Sequence, residues 1–246
     1  MSHVSEIDSR AILSMTLLYL LFLLSMPLSD LGGTIWFAVY PIIMAPLSHL
    51  KYARLFQQSL FILPLILLIA VFNPVYDSNP IFFIGNVGIS NGWLTFFSLI
   101  VRGIIAFQAL LILVNVSGFI EVCNSLRRLG VPSVLTTQLL MVYRYIIVLL
   151  EEALTMNRAR VARGYGKRNL SIVLWAPFVG SLLVRSIERS RRIAMAMEAR
   201  GFNGSMPISG NKKWNTDDTV YCMVWTSVFL ILKFVDLSGV IAHWQG

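Results

Sequence analysis

Long uncharged runs alternate with short polar breaks along this chain. The runs cover roughly 11–29, 31–48, 55–76, 78–101 with 103–120, and 219–232. About 18–22 helical residues, rising about 1.5 Å each, cross a hydrocarbon core about 30 Å thick. The pattern therefore predicts five membrane-spanning helices, near 12–27, 33–48, 57–74, 96–117 and 218–236. Pro27, Asn73-Pro74 and Asn79-Pro80 punctuate the ends of runs. Pro41, Pro46 and Pro64 fall inside runs. Membrane helices tolerate such prolines when neighbours satisfy the freed carbonyls.

Between the fourth and fifth runs the pattern changes, and three helices are expected. The first, near 118–129, ends at Leu129-Gly130-Val131-Pro132, where glycine caps and proline restarts the chain. The second runs from about Ser133 to Arg163. The third runs from about Leu170 to Arg200, with a kink expected at Pro177. Both long helices begin apolar ("VLTTQLLMVYRYIIVLL", "SIVLWAPFVGSLLV") and end basic. Such helices are expected to lie against the membrane portion and then extend to a cytoplasmic surface. The expected class is all-α: a polytopic membrane protein with about five transmembrane helices and three cytoplasmic ones, of which the two long ones cross. The divisions are 1–118, 119–217 and 218–246.

Composition agrees. Hydrophobic residues make up 57% and charged residues only 13%, about half the charge of a soluble domain. The first run follows Arg10 without a small-residue cleavage site, so it reads as a retained helix. Of the 20 Lys and Arg residues, 15 lie between Glu121 and Lys213 against five acids, a net +10 in a chain of net +8. Segments 28–33, 74–97 and 237–246 contain no Lys or Arg, while Lys51 and Arg54 occupy the loop between spans two and three. The positive-inside rule then puts the N-terminus, loop 49–56 and region 119–217 in the cytoplasm, and the C-terminus outside. Arg102 lies inside span four; snorkelling to the interface is the expected role, a buried pair with Asp77 the other. Lys233 and Asp236 are spaced for an interfacial pair.

Candidate chemistry is sparse. Cys123 and Cys222 form no disulfide, zinc or redox spacing. His3, His49 and His243 are far apart, and a solvated tail suits His3 better than metal chelation with the N-terminal amine. The spans lack clustered ligands for a transition metal, and the ten methionines read as packing. "GYGKRN" is no phosphate loop: Val161 stands where the leading glycine belongs, and Arg168 replaces Ser or Thr. No catalytic, metal or cofactor site is expected.

One phrase is written twice. "RARVARGYG" (Arg158–Gly166) and "AMAMEARGFNG" (Ala194–Gly204) both read Ala-Arg-Gly-aromatic. At an offset of 37, Glu151 meets Glu188, Ala159 meets Ala196, Ala162 meets Ala199, Arg163 meets Arg200, Gly164 meets Gly201, and Tyr165 meets Phe202. Each glycine can end a helix in the left-handed conformation. Each arginine sits at the negative end of a helix dipole. The alanines form a small-residue stripe that would let two helices cross closely. Two tips would each present a guanidinium and an aromatic, a rigid fork suited to carboxylates on a partner. Arg158, Arg160 and Arg192 add basic support. Ordinary capping explains one copy but not two at matching positions. Binding to anionic headgroups explains the scattered charges of Arg127, Arg128, Lys167 and Arg168 but not a recurring phrase.

These residues resemble a known family. "LRRLGVPSVL", "YRYIIVLLEEALTMNRARVARGYG" and "AMEARGF" are similar to the transmembrane T subunit of energy-coupling factor transporters, in its CbiQ branch from cobalt and nickel uptake systems. The N-terminal "IDSRAIL" resembles the family's Asp-Pro-Arg opening, with Ser9 where proline is common. The resemblance implies two coupling helices whose motifs, Ala162-Arg163-Gly164 and Ala199-Arg200-Gly201, dock in grooves on two ATP-binding cassette ATPase subunits. It further implies a substrate-binding membrane (S) subunit for cobalt or nickel, no catalysis by this chain, and a place in the inner membrane of a prokaryote. Two other classes remain. A lipid-modifying enzyme could use Asp217-Asp218, although the pair also suits the N-terminus of span five. A basic membrane anchor could recruit an acidic partner; nucleic acid is disfavoured because the basic residues lack interleaved aromatics.

Overall fold

The computed structural model describes residues 7–27, 31–48, 50–76, 80–84, 87–163, 172–204, 206 and 214–234. Its helices are α1 (Ser9–Leu24), α2 (Leu31–Trp36), α3 (Val39–Leu47), α4 (Tyr52–Leu60), α5 (Leu63–Ala70), α6 (Phe72–Tyr76), α7 (Asn91–Ser117), α8 (Phe119–Arg128), α9 (Ser133–Arg163), α10 (Ile172–Ala199) and α11 (Thr216–Phe234). Among the described residues the departure from helix is one antiparallel hairpin, β1 (Pro80–Ile84) with β2 (Val87–Ser90). Its Phe, Ile and Val content suits a pleated pair. The chain divides into two units, residues 1–125 with 211–246, and residues 126–210.

In the first unit α7 is the axis. It packs against all six preceding helices, and α11 packs on α1 and α2. The five expected spans are helical: spans two and three are broken, while α1 and α11 keep the expected length and α7 exceeds it. By length and composition, Gly92–Ser117 and Ser133–Arg163 could each cross a membrane, and a third span exists if Tyr52–Leu60 and Leu63–Pro74 count as one helix bent by 49°. Proline explains the breaks. Pro64 sits at that bend, and Pro41 lies just past the break between α2 and α3.

The break at Pro41 shows how a freed carbonyl is satisfied. Pro41 has no N–H for the carbonyl of Phe37, four residues back. The Tyr19 hydroxyl donates to that carbonyl at 3.0 Å. Tyr19 stacks on Tyr40 at 4.6 Å and meets Phe229 at 5.4 Å, while Trp225 meets the edge of Tyr40 at 4.8 Å. One aromatic cluster thus joins α1, the α2–α3 break and α11. Met15 and Met44 are buried and accept from Thr226 and Tyr221, as packing methionines do.

Asp218 ties two chain-distant helix starts together. Asn215 caps α11 through its side-chain oxygen on the Thr216 N–H. Asp218 reaches back to accept from the Asn215 N–H at 2.8 Å, the carboxylate half of a capping box. Its other oxygen accepts the Asp8 N–H at 2.7 Å. Asp8 in turn caps α1 by accepting from the Arg10 N–H at 3.0 Å. Asp218 is 2% exposed, and both of its oxygens hold backbone.

Arg102 corrects the expectation of snorkelling. It is buried, and its Nη2 donates to the Pro27 carbonyl at 3.0 Å, just past the end of α1. A carbonyl freed at a helix end recruits the guanidinium inward. Asp77, its other expected partner, lies outside the described residues, as do Asp236 and His3. Lys233 instead donates to Ser25 Oγ at 3.1 Å and sits over the Phe22 ring. Cys123 and Cys222 are both free, and burial pushes the Cys123 thiol above its usual range.

The Asp218 tie yields a stability prediction. Asp218→Ala orphans two N–H groups and should cost about 2–4 kcal/mol, lowering the thermal midpoint in detergent. Asp217→Ala, at an exposed neighbour, should change it by no more than about 0.5 kcal/mol.

Candidate functional site

The second unit contains both arginine phrases. α8 ends as expected: Gly130, at φ +102°, turns the chain, its N–H bonds the Arg127 carbonyl, and the Val131 N–H bonds Leu126. Pro132 then starts α9, its carbonyl accepting from the Leu135 and Thr136 N–H groups. α10 runs as one helix through Pro177.

The end of α10 has the same construction. Gly201 adopts φ +78°, its N–H bonds the Glu198 carbonyl at 2.9 Å, and the Phe202 N–H bonds Met197 at 3.0 Å. This paired closure is the Schellman motif, and its accompanying apolar contact joins Phe202 with Met197 in one groove wall. Arg200 is therefore held at the helix cap, exposed. Arg163 is the last residue of α9 and is also exposed, as are Ala162 and Ala199. Gly164 and Tyr165 lie outside the described residues.

Three expectations need correction here. Phe202 is half-buried against the groove rather than presented outward. The alanine stripes do not meet: Ala159 and Ala196 are exposed, near the C-terminal ends of different helices. And the helices do not both extend away from a common base. Glu152 of α9 pairs with Arg189 of α10 at 2.8 Å and with Arg185 at 3.8 Å. Moving back along α9 to Thr137 moves forward along α10, to Met206, whose N–H bonds Thr137 Oγ1 at 3.4 Å. The helices therefore run antiparallel. The residues between them, 164–171, are few, and a short connection favours this arrangement. The two arginines consequently sit at opposite ends of the pair.

Between the helices lies an apolar groove of about 680 Å³, lined by Met141, Tyr145 and Leu149 of α9 and by Ile193, Met197 and Phe202 beyond them. Arg127 donates to the Met206 carbonyl and so fastens the chain just past α10 to the end of α8. Of the supporting basic residues, Arg158 and Arg192 are exposed. Arg160 is turned back on its own helix, donating to Asn157 Oδ1 at 3.1 and 3.3 Å. The reading of the sequence passed over Glu152. The signal was present, because Glu152 and Arg189 are themselves equivalent at the 37-residue offset and oppositely charged.

Residues 2–209 match the family described as CbiQ, cobalt transport protein. Over 89 residues the chain is 34% identical to a "Cobalt transport protein CbiQ" of Rhodobacter capsulatus, covering 36% of each chain. Over 109 residues it is 29% identical to a protein of the same name from Salmonella typhimurium, covering 42% of this chain and 46% of the relative. The matched stretches thus span less than half the length of these curated relatives.

Gly201→Ala tests the cap. Its Cβ would meet nothing within 4 Å, so the cost is conformational alone. About 1 kcal/mol is expected, seen as roughly fivefold faster hydrogen exchange at the Gly201 and Phe202 amides.

Proposed function

This chain belongs to the CbiQ family of cobalt transport proteins, and on that footing we propose that it is the membrane coupling subunit of an ATP-driven energy-coupling factor importer. Its cargo is cobalt, with nickel the second metal that the resemblance implies. Arg163 and Arg200 each grip one of two ATPase subunits, and ATP-driven closure of that pair moves the helices. The motion passes to a substrate-binding membrane subunit, whose ligands choose the metal. This chain hydrolyses nothing itself.

One observation carries the reading. Two copies of one phrase lie on antiparallel helices that meet at Glu152 and Arg189, which are equivalent positions of the repeat. Such a pair is related by an approximate two-fold axis, the arrangement needed to offer identical handles to two like subunits. The handles are about 33 Å apart along the pair, counting 1.5 Å per residue. Ala162, Ala199 and Gly201 shape the tips, and Arg158 and Arg192 add positive charge around them.

Charge supports an orientation with both tips on the cytoplasmic side. If α9 crossed the bilayer, its antiparallel partner would carry Arg185, Arg189, Arg191 and Arg192 with it. Each arginine at mid-membrane costs about 2.5–3.5 kcal/mol, and Glu152 answers only two of them. A hairpin lying along the membrane surface avoids that cost. The membrane is the inner membrane of a prokaryote, with the N-terminus inside and the C-terminus outside. The lipid-modifying alternative is weakened by Asp218, whose oxygens both hold backbone N–H groups.

Two measurements test this reading. Arg163→Glu with Arg200→Glu should leave the protein in the membrane and reduce co-purifying ATPase by about tenfold or more, the effect of 1.4 kcal/mol. Full retention of ATPase refutes the docking role and leaves the basic-anchor reading. Single cysteines at 163 and 200 should both react with a membrane-impermeant maleimide from the cytoplasmic side. Labelling from opposite sides refutes the orientation.

A further inference from the structure

We propose that Glu152, clamped by Arg189 and Arg185, is a positioning residue: a pin on the approximate two-fold axis that fixes the register of α9 against α10 and so the spacing of the two arginine tips. The inference rests on the coupling role above but is testable apart from it.

The pin is central by sequence and by contact. Glu152 precedes Arg163 by eleven residues, and Arg189 precedes Arg200 by the same eleven. Each arm from pin to tip is thus about 16 Å of helix. In a two-fold pair, only residues on the axis meet their own equivalents. Glu152 and Arg189 are such equivalents, and they meet at 2.8 Å. The repeat places opposite charges at this one axial contact, where identical residues would repel.

The surroundings leave this contact a task. On one side of the pin the helices enclose the apolar groove between Met141, Tyr145 and Met197 rather than a close-packed seam. Apolar burial is non-directional, so it holds the helices together without choosing a register. A polar pair among apolar surfaces does choose one. Glu152 is 16% exposed and Arg189 34%, so the contact is partly shielded from water. Arg185, at 3.8 Å and 61% exposed, is the looser arm. An ion pair of this exposure contributes little to total stability. Its role is to select one arrangement among several of similar energy.

The test uses the full chain in nanodiscs, in a Cys222→Ala background, with spin labels on Ala159→Cys and Ala196→Cys. These are exposed, equivalent positions toward the two tips. The wild-type pin should give one narrow distance distribution. Glu152→Gln, nearly isosteric, should broaden it, and Glu152→Arg more so. Full inversion, Glu152→Arg with Arg185→Glu and Arg189→Glu, should restore the narrow distribution. A merely space-filling role would show no such rescue. In the assembled transporter, Glu152→Gln should keep its ATPases while cobalt uptake per ATP falls roughly three- to tenfold, the range for coupling residues outside ligand sites. An unchanged distribution, a failed rescue or an unchanged uptake-to-hydrolysis ratio overturns the proposal. Loss of the coupling role would instead appear as ATPase retention in the Arg163→Glu, Arg200→Glu protein, with the spin-label result still deciding the pin.

Discussion

The antiparallel contact between Glu152 and Arg189 governs what the rest of the second unit can do. Two copies of a short phrase, each ending a helix, would present their arginines side by side if the helices ran in one direction. A single partner groove could then hold both. Run head to tail, the copies face opposite ways from a shared centre, and each arginine needs its own groove. Under the proposed docking role, the direction of one helix pair, marked by a carboxylate and a guanidinium at 2.8 Å, suits two like proteins with one socket each rather than one protein with two.

The first unit is held by a different means. A membrane-embedded chain has no water to satisfy broken helices, so each interruption must recruit a polar group from elsewhere. Tyr19 answers the carbonyl left by Pro41, Arg102 answers the end of α1, and Asp218 answers two helix starts at once. Three of these four bonds join residues 18, 75 and 210 positions apart. Interruptions that would otherwise weaken single helices become the points where helices are tied. A Gly103 Cβ would approach Ile66 Cδ1 to 2.5 Å, so α7 also meets α5 more closely than most residues at that position would allow.

Much of this was legible in the sequence, for reasons that differ by element. The ends of α8, α9 and α10 fell within two residues of expectation because Gly130, Pro132 and Gly201 are local signals whose chemistry acts on neighbouring atoms. The two exposed tips at Arg163 and Arg200 followed from the same local rules. Direction was legible only in the short connection, not in the periodicity. Periodicity says which face of a helix is apolar, and it says nothing about whether a neighbour runs up or down. Phe202 was misplaced for a related reason: a residue after a capping glycine has no fixed outward side until its Met197 contact is known. The breaks in spans two and three were missed because hydropathy ignores the backbone bonds that proline removes. Arg102 was misjudged because its partner, a lone carbonyl at Pro27, leaves no mark in residue type.

Placing the arginines at helix ends rather than near the centre has a mechanical consequence. A rigid arm moves its tip in proportion to its length, while residues near the pivot barely move. For arms of about 16 Å, a rotation of about 10° displaces each tip by about 3 Å. That is on the scale of a side-chain contact, enough to make or break one. The same rotation at Glu152 shifts its contact by a small fraction of that, so the pin survives the stroke that the tips deliver. The Schellman cap completes the design by stiffening the last turn, because a frayed end would absorb the displacement before the guanidinium felt it. Under the proposed role, Gly201 serves the arm's rigidity as much as the chain's turn, which gives a reason for the Arg-Gly order of the phrase.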